Sequence, residues 1–401
     1  MESFAARLAV LMAGRGLGVR ALARQVPCNH ALISRYLNGH QSPSPGLAAR
    51  LDALLGAGGE LVALAAARPS DTIAAGDDEI AALELTRHAT ASEVGAATVE
   101  QIEQAIDDLA VAYHGTPPAQ LLTRVRAHLG YVTGLLDWRS TFAEHGRLLV
   151  AGGWLSLLAA TCLIDLHNHS AALAHLRTAA QIARETGHAE IAAWCLETRA
   201  WQVLTDGNYP KAAELAQAAQ RAAPRSGSAL IQATAQEGRA WARMGAATET
   251  RDALARTEAL VSPLPMPDRP EHHYRYDPAK SDAYVATTLS WLGDPAAERY
   301  ARQVLTRLET TTADGPPRPR RAATARLDLA LALTSAGRPD EAAATALEAV
   351  TSGLLVPSNY WRAAEVITAI DGTDTASAAD LREAYREYCP PSPAALPRGS
   401  S

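Results

Sequence analysis

The chain has 401 residues, 48% of them hydrophobic, with a net charge of −6, too long for one ordinary core, so two or more domains are expected. About a fifth of the residues are alanine and alternating β-branched runs are missing, which excludes a sheet protein and predicts an all-α fold. Residues 1–68 carry seven arginines against three acids, net +4, leaving −10 for the rest, as expected of a small nucleic-acid module on a body that does not touch nucleic acid.

In chain order, Phe4 to Ala13 predicts a short amphipathic helix, ended by Gly14 to Gly18. MESFAARLAV has no basic n-region or cleavage site, so a cytoplasmic protein is expected. Val19 to Val26 is the second helix, with Leu22 and Val26 inward. Pro27-Cys28 makes a turn, Asn29 is placed as N-cap of a third helix from Ala31 to Leu37, and Asn38-Gly39 closes it. Leu47, Leu51, Leu54 and Leu55 mark a fourth helix, and GAGGELVALAAA (56–67) begins a fifth. A polar linker, 69–78, is the first domain boundary.

From residue 79 helical periodicity recurs to 389. Leu148 to Ile164 carries no charge and approaches the length of a membrane span. Gly152-Gly153 interrupts it and polar residues follow at once, so it reads as the buried helix of a large domain, with no membrane partner expected. From Ala192 to Pro224, Gly207, Tyr209, Ala212, Ala216, Ala219 and Pro224 stand at the spacings of a tetratricopeptide (TPR) repeat. The glycine turns one helix tightly into the next, small residues let the two backbones approach, and the proline ends the second helix.

Related pairs carry Ala172, Leu176 and Ala179, then turns at Gly245, Gly293 and Gly337. The marker position moves from 172 to 212, 250, 298 and 342, a period of roughly 40 residues that predicts a right-handed TPR-type α-solenoid. Two insertions interrupt it, 262–278 and 314–319, and residues 390–401 form an expected disordered tail.

The N-terminal segment ALARQV, a turn and HALISRYLNG resembles the XRE, or lambda-repressor-like, helix-turn-helix family over roughly residues 4–67. The resemblance implies a five-helix domain that binds double-stranded DNA. His30, Ala31 and Arg35 match its base-reading positions, while Asn29, Ser34, Asn38, His40 and Gln41 match positions of phosphate and edge contacts. Arg35 suits a bidentate pair with guanine, and Arg20 is near enough for a backbone phosphate. Pro27 replaces the glycine common in the turn and Leu37 a frequent acidic residue. The proline fits before an N-cap because no donor is needed there.

Counting from the turn glycines, Trp154, Trp194, Glu197, Trp201, Gln232, Arg239, Arg243 and Lys280 should line the concave groove and hold an extended ligand. The bland alternative is that tryptophans at these positions pack the superhelix. In the first insertion, His272, His273, Tyr274, Arg275 and Tyr276 either fold over the groove as a ligand clamp or seal a gap between helices. Adjacent His272-His273 cannot comfortably share one ion, so no metal and no cofactor are expected. The four cysteines lack metal or disulfide spacing. With two lysines, neither after a glycine-rich loop, and no G-x-S-x-G, H-E-x-x-H or S-x-x-K, catalysis is not expected.

The combination resembles the helix-turn-helix–TPR regulators of actinomycetes, implying a homodimeric transcriptional regulator that takes a peptide or small-molecule effector. The alternative is a TPR adaptor that holds a partner protein and uses its head for protein contact.

Overall fold

The computed structural model describes residues 4–26, 30–37, 43, 45–66, 78–85, 95–138, 140–265, 272–276, 278–310, 318–371 and 376–390. For Arg20, Arg24, His30, Ala31, Leu32, Arg35, Pro45, Ala66, Ala279, Ala376 and Ser377 only the backbone is described. Among these residues every regular element is helical.

The head holds α1 (Phe4–Gly14), α2 (Val19–Gln25), α3 (His30–Leu37), α4 (Pro45–Leu55) and α5 (Glu60–Ala66). Its core is Leu8, Met12, Leu22, Val26, Ile33, Tyr36, Leu47, Leu51, Leu55 and Leu61, so the expected inward positions Leu22 and Val26 are buried. Buried Asp52 of α4 accepts from the backbone N–H groups of Gly59 (2.7 Å) and Leu61 (2.9 Å). A carboxylate from the preceding helix thus satisfies orphan donors at the start of α5. The segment 56–59 is a turn with Gly56, Gly58 and Gly59 at positive φ; the fifth helix starts only at Glu60.

The body begins with α6 (78–85), α7 (Ala96–Ala112), α8 (Pro118–Leu136) and α9 (Phe142–Asp165). It continues through α10 (His169–Thr186), α11 (Ala189–Thr205), α12 (Tyr209–Ala222), α13 (Ser228–Arg243) and α14 (Ala247–Val261). The last helices are α15 (Pro278–Leu292), α16 (Ala297–Glu309), α17 (Pro319–Ser335), α18 (Pro339–Thr351), α19 (Tyr360–Ile370) and α20 (Ala376–Tyr388), with a 3₁₀ turn at Pro357–Asn359.

Successive helices pair: α9 with α10, α11 with α12, α13 with α14, α15 with α16 and α17 with α18. The first helix of each pair also packs on the first helix of the next, α9 on α11 through to α17 on α19. The second helices are narrow: Ala212, Ala216 and Ala219 of α12, and Ala342, Ala346 and Ala349 of α18, are wholly buried. Small side chains at this spacing let two backbones close up without a void.

The turns are left-handed at Gly207 (φ 82°), Gly245, Gly293 and Gly337. Asn208 then caps α12 by accepting from Lys211 N at 3.2 Å. No atom would crowd a methyl group at Gly207, so a Gly207→Ala change carries the backbone cost alone, about 1–2 kcal/mol. Chemical denaturation of the variant measures it.

The first pair departs from this pattern. Its turn residue is His167, the only non-glycine at positive φ among the described residues (56°). Asn168 still caps the following helix from the position equivalent to Asn208. His167 therefore holds a strained turn conformation, and its ring Nε2 lies 2.7 Å from the carbonyl of Pro357.

Helix α9 contains the uncharged stretch and is long and apolar enough to cross a bilayer, but 83% of that window is buried inside the protein. Gly152 and Gly153 do not interrupt it, contrary to expectation. Both sit inside the helix, and a Cβ at Gly153 would lie 3.1 Å from Ile182 and from Ile191. Neighbour packing offsets the weak helix propensity of glycine here.

Candidate functional site

Each first helix of a pair turns a face toward the middle of the body. From α11 come Trp194, Glu197, Thr198 and Trp201, spaced i, i+3, i+4, i+7; α13 adds Gln232, Gln236 and Arg239. Lys280, Tyr284 and Thr287 follow from α15, Arg320, Arg321 and Asp328 from α17, and Arg362 from α19. Together with Tyr113, His114, Thr161 and Asp165 they surround a cavity of about 230 Å³.

The cavity exists because the two ends of the helical array meet. Arg320 Nη1 donates to the carbonyls of Tyr113 (2.6 Å) and Thr116 (3.1 Å), and its Nη2 to Asp165 Oδ2 (3.1 Å). Asp165 is buried and also accepts from the hydroxyls of Tyr113 (2.7 Å) and Ser358 (2.8 Å). With His167 on the Pro357 carbonyl, these contacts close an open groove into a ring.

The charges lining the cavity are unevenly matched. Asp165 pairs with Arg320, and Asp328 with Arg362, itself 4% exposed. Lys280 Nζ donates to the carbonyls of His272 (2.6 Å) and Arg275 (2.7 Å). Arg239 is 7% exposed and has no carboxylate within 4 Å among the described residues. It lies over the rings of Trp201 (4.7 Å), Tyr284 (4.8 Å) and Trp291 (4.9 Å), and Nη1 donates to Gln236 Oε1 at 3.2 Å. Arg239 Nε and Gln236 Nε2 remain buried without an acceptor.

Burial pushes the Glu197 carboxyl up to about 7, against the downward pull of Gln232 and Arg239. Gln232 Nε2 donates to Glu197 Oε1 (2.9 Å) and to the Tyr284 hydroxyl (2.5 Å). Burial, then Lys280, holds the His114 and His273 imidazoles well below their ordinary range, so both are neutral at pH 7.

Of the thirteen residues expected at the groove, Trp194, Glu197, Trp201, Gln232, Arg239, His273 and Lys280 line the cavity. Six do not. Trp154 packs on Tyr274 (5.0 Å) and His188 (5.6 Å). Arg243 pairs with Glu365 at 2.5 Å and stacks on Tyr209, Trp291 and Trp361. His272 and Arg275 reach Asp107 of α7 at 3.1 and 2.8 Å. Burial takes His272 down to about 4 despite Asp107, so the imidazole in that contact is neutral. Tyr274 packs under Trp194, and Tyr276 against Tyr284. The described part of the insertion, 272–276, is thus laid between α7 and α11, with His273 N donating to Ala110 O at 3.1 Å. It seals the ring and contributes one ring face to the cavity.

Tyr113, His114, Asp165, Gln236, Tyr284, Arg320, Arg321, Asp328 and Arg362 escaped the sequence reading. Gln236 and Tyr284 lie one turn from residues that were found, so helical spacing alone could have added them. The others come from the far ends of the array and carry no local signal.

In the head, Ile33 and Tyr36 of α3 are fully buried, and the helical period puts positions 31, 34 and 35 on the opposite face. Ser34 is partly exposed there. His30, Ala31 and Arg35 lie on α3 and Arg20 on α2, whereas Asn29, Asn38, His40 and Gln41 fall outside the described residues. Arg7 is held by Glu60 at 2.5 Å and Arg15 by the Leu54 carbonyl at 2.6 Å; neither belongs to the α2–α3 pair. Residues 3–65 match the family model of a helix-turn-helix domain. The N-terminus of this chain is a helix-turn-helix domain. No curated protein compared with the whole chain matches it.

The helix-turn-helix domain is attached to the body through α20. The Tyr36 hydroxyl on the inner side of α3 hydrogen-bonds that of Tyr388, whose ring packs against the head core. Arg50 of the helix-turn-helix domain lies 4.0 Å from Glu387. Helix α20 rests in turn on α18 and α19, and α19 carries Arg362 of the cavity wall.

Proposed function

We propose that this chain is a sequence-specific DNA-binding transcriptional regulator whose body is a TPR-type array that binds an effector. The match of residues 3–65 to a helix-turn-helix domain carries the reading. The +4 head on a −10 body supports it, because a cationic module gains counterion release on DNA while the body is repelled. The paired helices, their left-handed turns and their buried alanines support the TPR reading. Two copies present two heads, which as a homodimer meet successive major grooves about 34 Å apart on an inverted repeat in cytoplasmic DNA.

The path from α19 through α20 to Tyr36 supplies a physical connection between cavity and head. An effector that favours one arrangement of α19 shifts the population of head placements by its difference in affinity for the two. The size of the cavity favours a compact small molecule over an extended peptide: about 230 Å³ falls below the roughly 300–1,000 Å³ of sites for drug-sized ligands.

Gel-shift titration on duplexes selected from a random library tests the reading. Arg35→Ala together with Arg20→Ala is expected to weaken binding roughly ten- to a hundred-fold, from about 1–3 kcal/mol of base and phosphate interaction removed. Undiminished affinity in the double variant, with wild-type helicity, would sink the assignment. Log affinity of the native chain should also fall steeply with log salt.

A further inference from the structure

We infer that the cavity takes a compact aromatic monocarboxylate, held by Arg239 with Gln236 beside it. The inference rests on the effector reading of the cavity and names the chemical class of that effector.

A guanidinium removed from water ordinarily keeps a carboxylate partner. Arg320 and Arg362 do so in this wall; Arg239, at 7% exposure, has no carboxylate within 4 Å among the described residues, and Glu197 and Asp328 act on it only from farther away. Three aromatic rings hold its position, with centroids 4.7 to 4.9 Å from the guanidinium carbon. Such faces stabilise the cation but accept few of its five N–H donors. Gln236 Oε1 accepts one, Nε has no acceptor, and Gln236 Nε2 is a second buried donor without one. Unsatisfied donors clustered in a cavity wall are an acceptor site, and a planar carboxylate matches the guanidinium fork.

Asp165 and Asp328 are already matched by Arg320 and Arg362, so the group that the Arg239 fork and Gln236 Nε2 call for is one planar carboxylate. The body of the ligand meets Trp194, Trp201 and Tyr284. Rings of this kind stack offset or edge-on with another aromatic group, which favours an aromatic acid over a sugar or an amino acid with its extra ammonium.

The test uses the full-length protein without DNA. Benzoate, phenylacetate and indole-acetate are titrated against their uncharged amides, with inorganic phosphate as a further probe, following tryptophan fluorescence and thermal unfolding. At least one acid should quench fluorescence saturably and raise Tm, with its amide at least tenfold weaker. Arg239→Gln should erase the preference for the acid. Arg239→Lys, which keeps the charge without the fork, should retain the preference at lower affinity, so the test survives if the Gln variant unfolds. Arg243→Gln, one turn along α13 and outside the cavity, should leave the preference intact.

Equal binding of every acid and its amide, no binding of any acid, or phosphate binding as tightly as the best acid, overturns the inference. Adding DNA separates it from the reading beneath it. If an acid binds and DNA affinity is unchanged, the ligand class stands and the effector role fails. If DNA is bound but no acid is, the ligand class fails and the regulator stands.

Discussion

Asp165→Ala is expected to destabilise the protein by about 3–5 kcal/mol, the cost of removing one partner from a buried charge pair. The carboxylate is 3% exposed and accepts from three groups that are distant in sequence: Tyr113, Arg320 and Ser358. Without it, Arg320 keeps only the carbonyls of Tyr113 and Thr116, and the buried hydroxyls of Tyr113 and Ser358 are left without their acceptor. These hydrogen bonds close the ring, so the damage should be local as well as global. Urea denaturation gives the global part, and hydrogen exchange at Tyr113 to Thr116 and at Pro357 to Asn359 gives the local one. A destabilisation below about 1 kcal/mol, with exchange unchanged, would show that closure does not depend on Asp165.

The second large effect is one of pH. The Glu197 carboxyl titrates near 7 in the folded chain and in the ordinary carboxylate range once unfolded. Between those values the native state holds a proton that the unfolded state has released. The stabilisation is therefore complete below the unfolded value and is lost as pH rises through 7. A gap of some two to three units corresponds to a difference on the order of 3 kcal/mol.

Glu197→Gln keeps an acceptor for Gln232 Nε2 and cannot ionise. It should match the wild type near pH 4.5 and exceed it in stability by up to that amount at pH 8. Urea midpoints measured across the interval read the difference directly. Comparing the two proteins is essential, because His114, His272 and His273 have lowered values and act oppositely, losing stability as pH falls. A flat difference between variant and wild type would remove Glu197 as the cause. Glu197 lines the cavity, and its ionisation would repel an incoming carboxylate, so acid affinity should weaken over the same range.

Much of the architecture was legible because it is written in local chemistry. Gly207, Gly245, Gly293 and Gly337 announced their turns because a left-handed residue without strain is nearly always glycine. Ala212, Ala216 and Ala219 announced a close helix contact by size and spacing alone. His167 hid the first turn because it adopts the same backbone with a side chain attached, at a cost that the Pro357 contact helps to offset. The glycine pair in α9 misled for the reverse reason: residues that break an isolated helix here make room for Ile182 and Ile191.

The candidate site divides along the same line. Glu197, Trp201, Gln232, Arg239 and Lys280 could be placed at the groove from helical spacing, since a face repeats every three or four residues. Arg243 has the same spacing yet meets Glu365, 122 positions further along the chain. Trp154 meets Tyr274 of the insertion instead of the cavity. No local rule separates Arg239, which has no carboxylate within 4 Å among the described residues, from Arg243, which has one.

The sequence by itself determined an all-helical chain, a basic helix-turn-helix head, an acidic body and the turns between most of its paired helices. Each follows from backbone preference, side-chain size or charge summed over neighbours in the chain. Only the tertiary structure decided that the groove closes, that Asp165 and Arg320 are its clasp, that α20 ties Tyr36 to the body, and that Arg239 is left facing a cavity. Those depend on where residues more than a hundred positions apart come to rest. No local preference encodes that; it is set by how successive helices pack on one another.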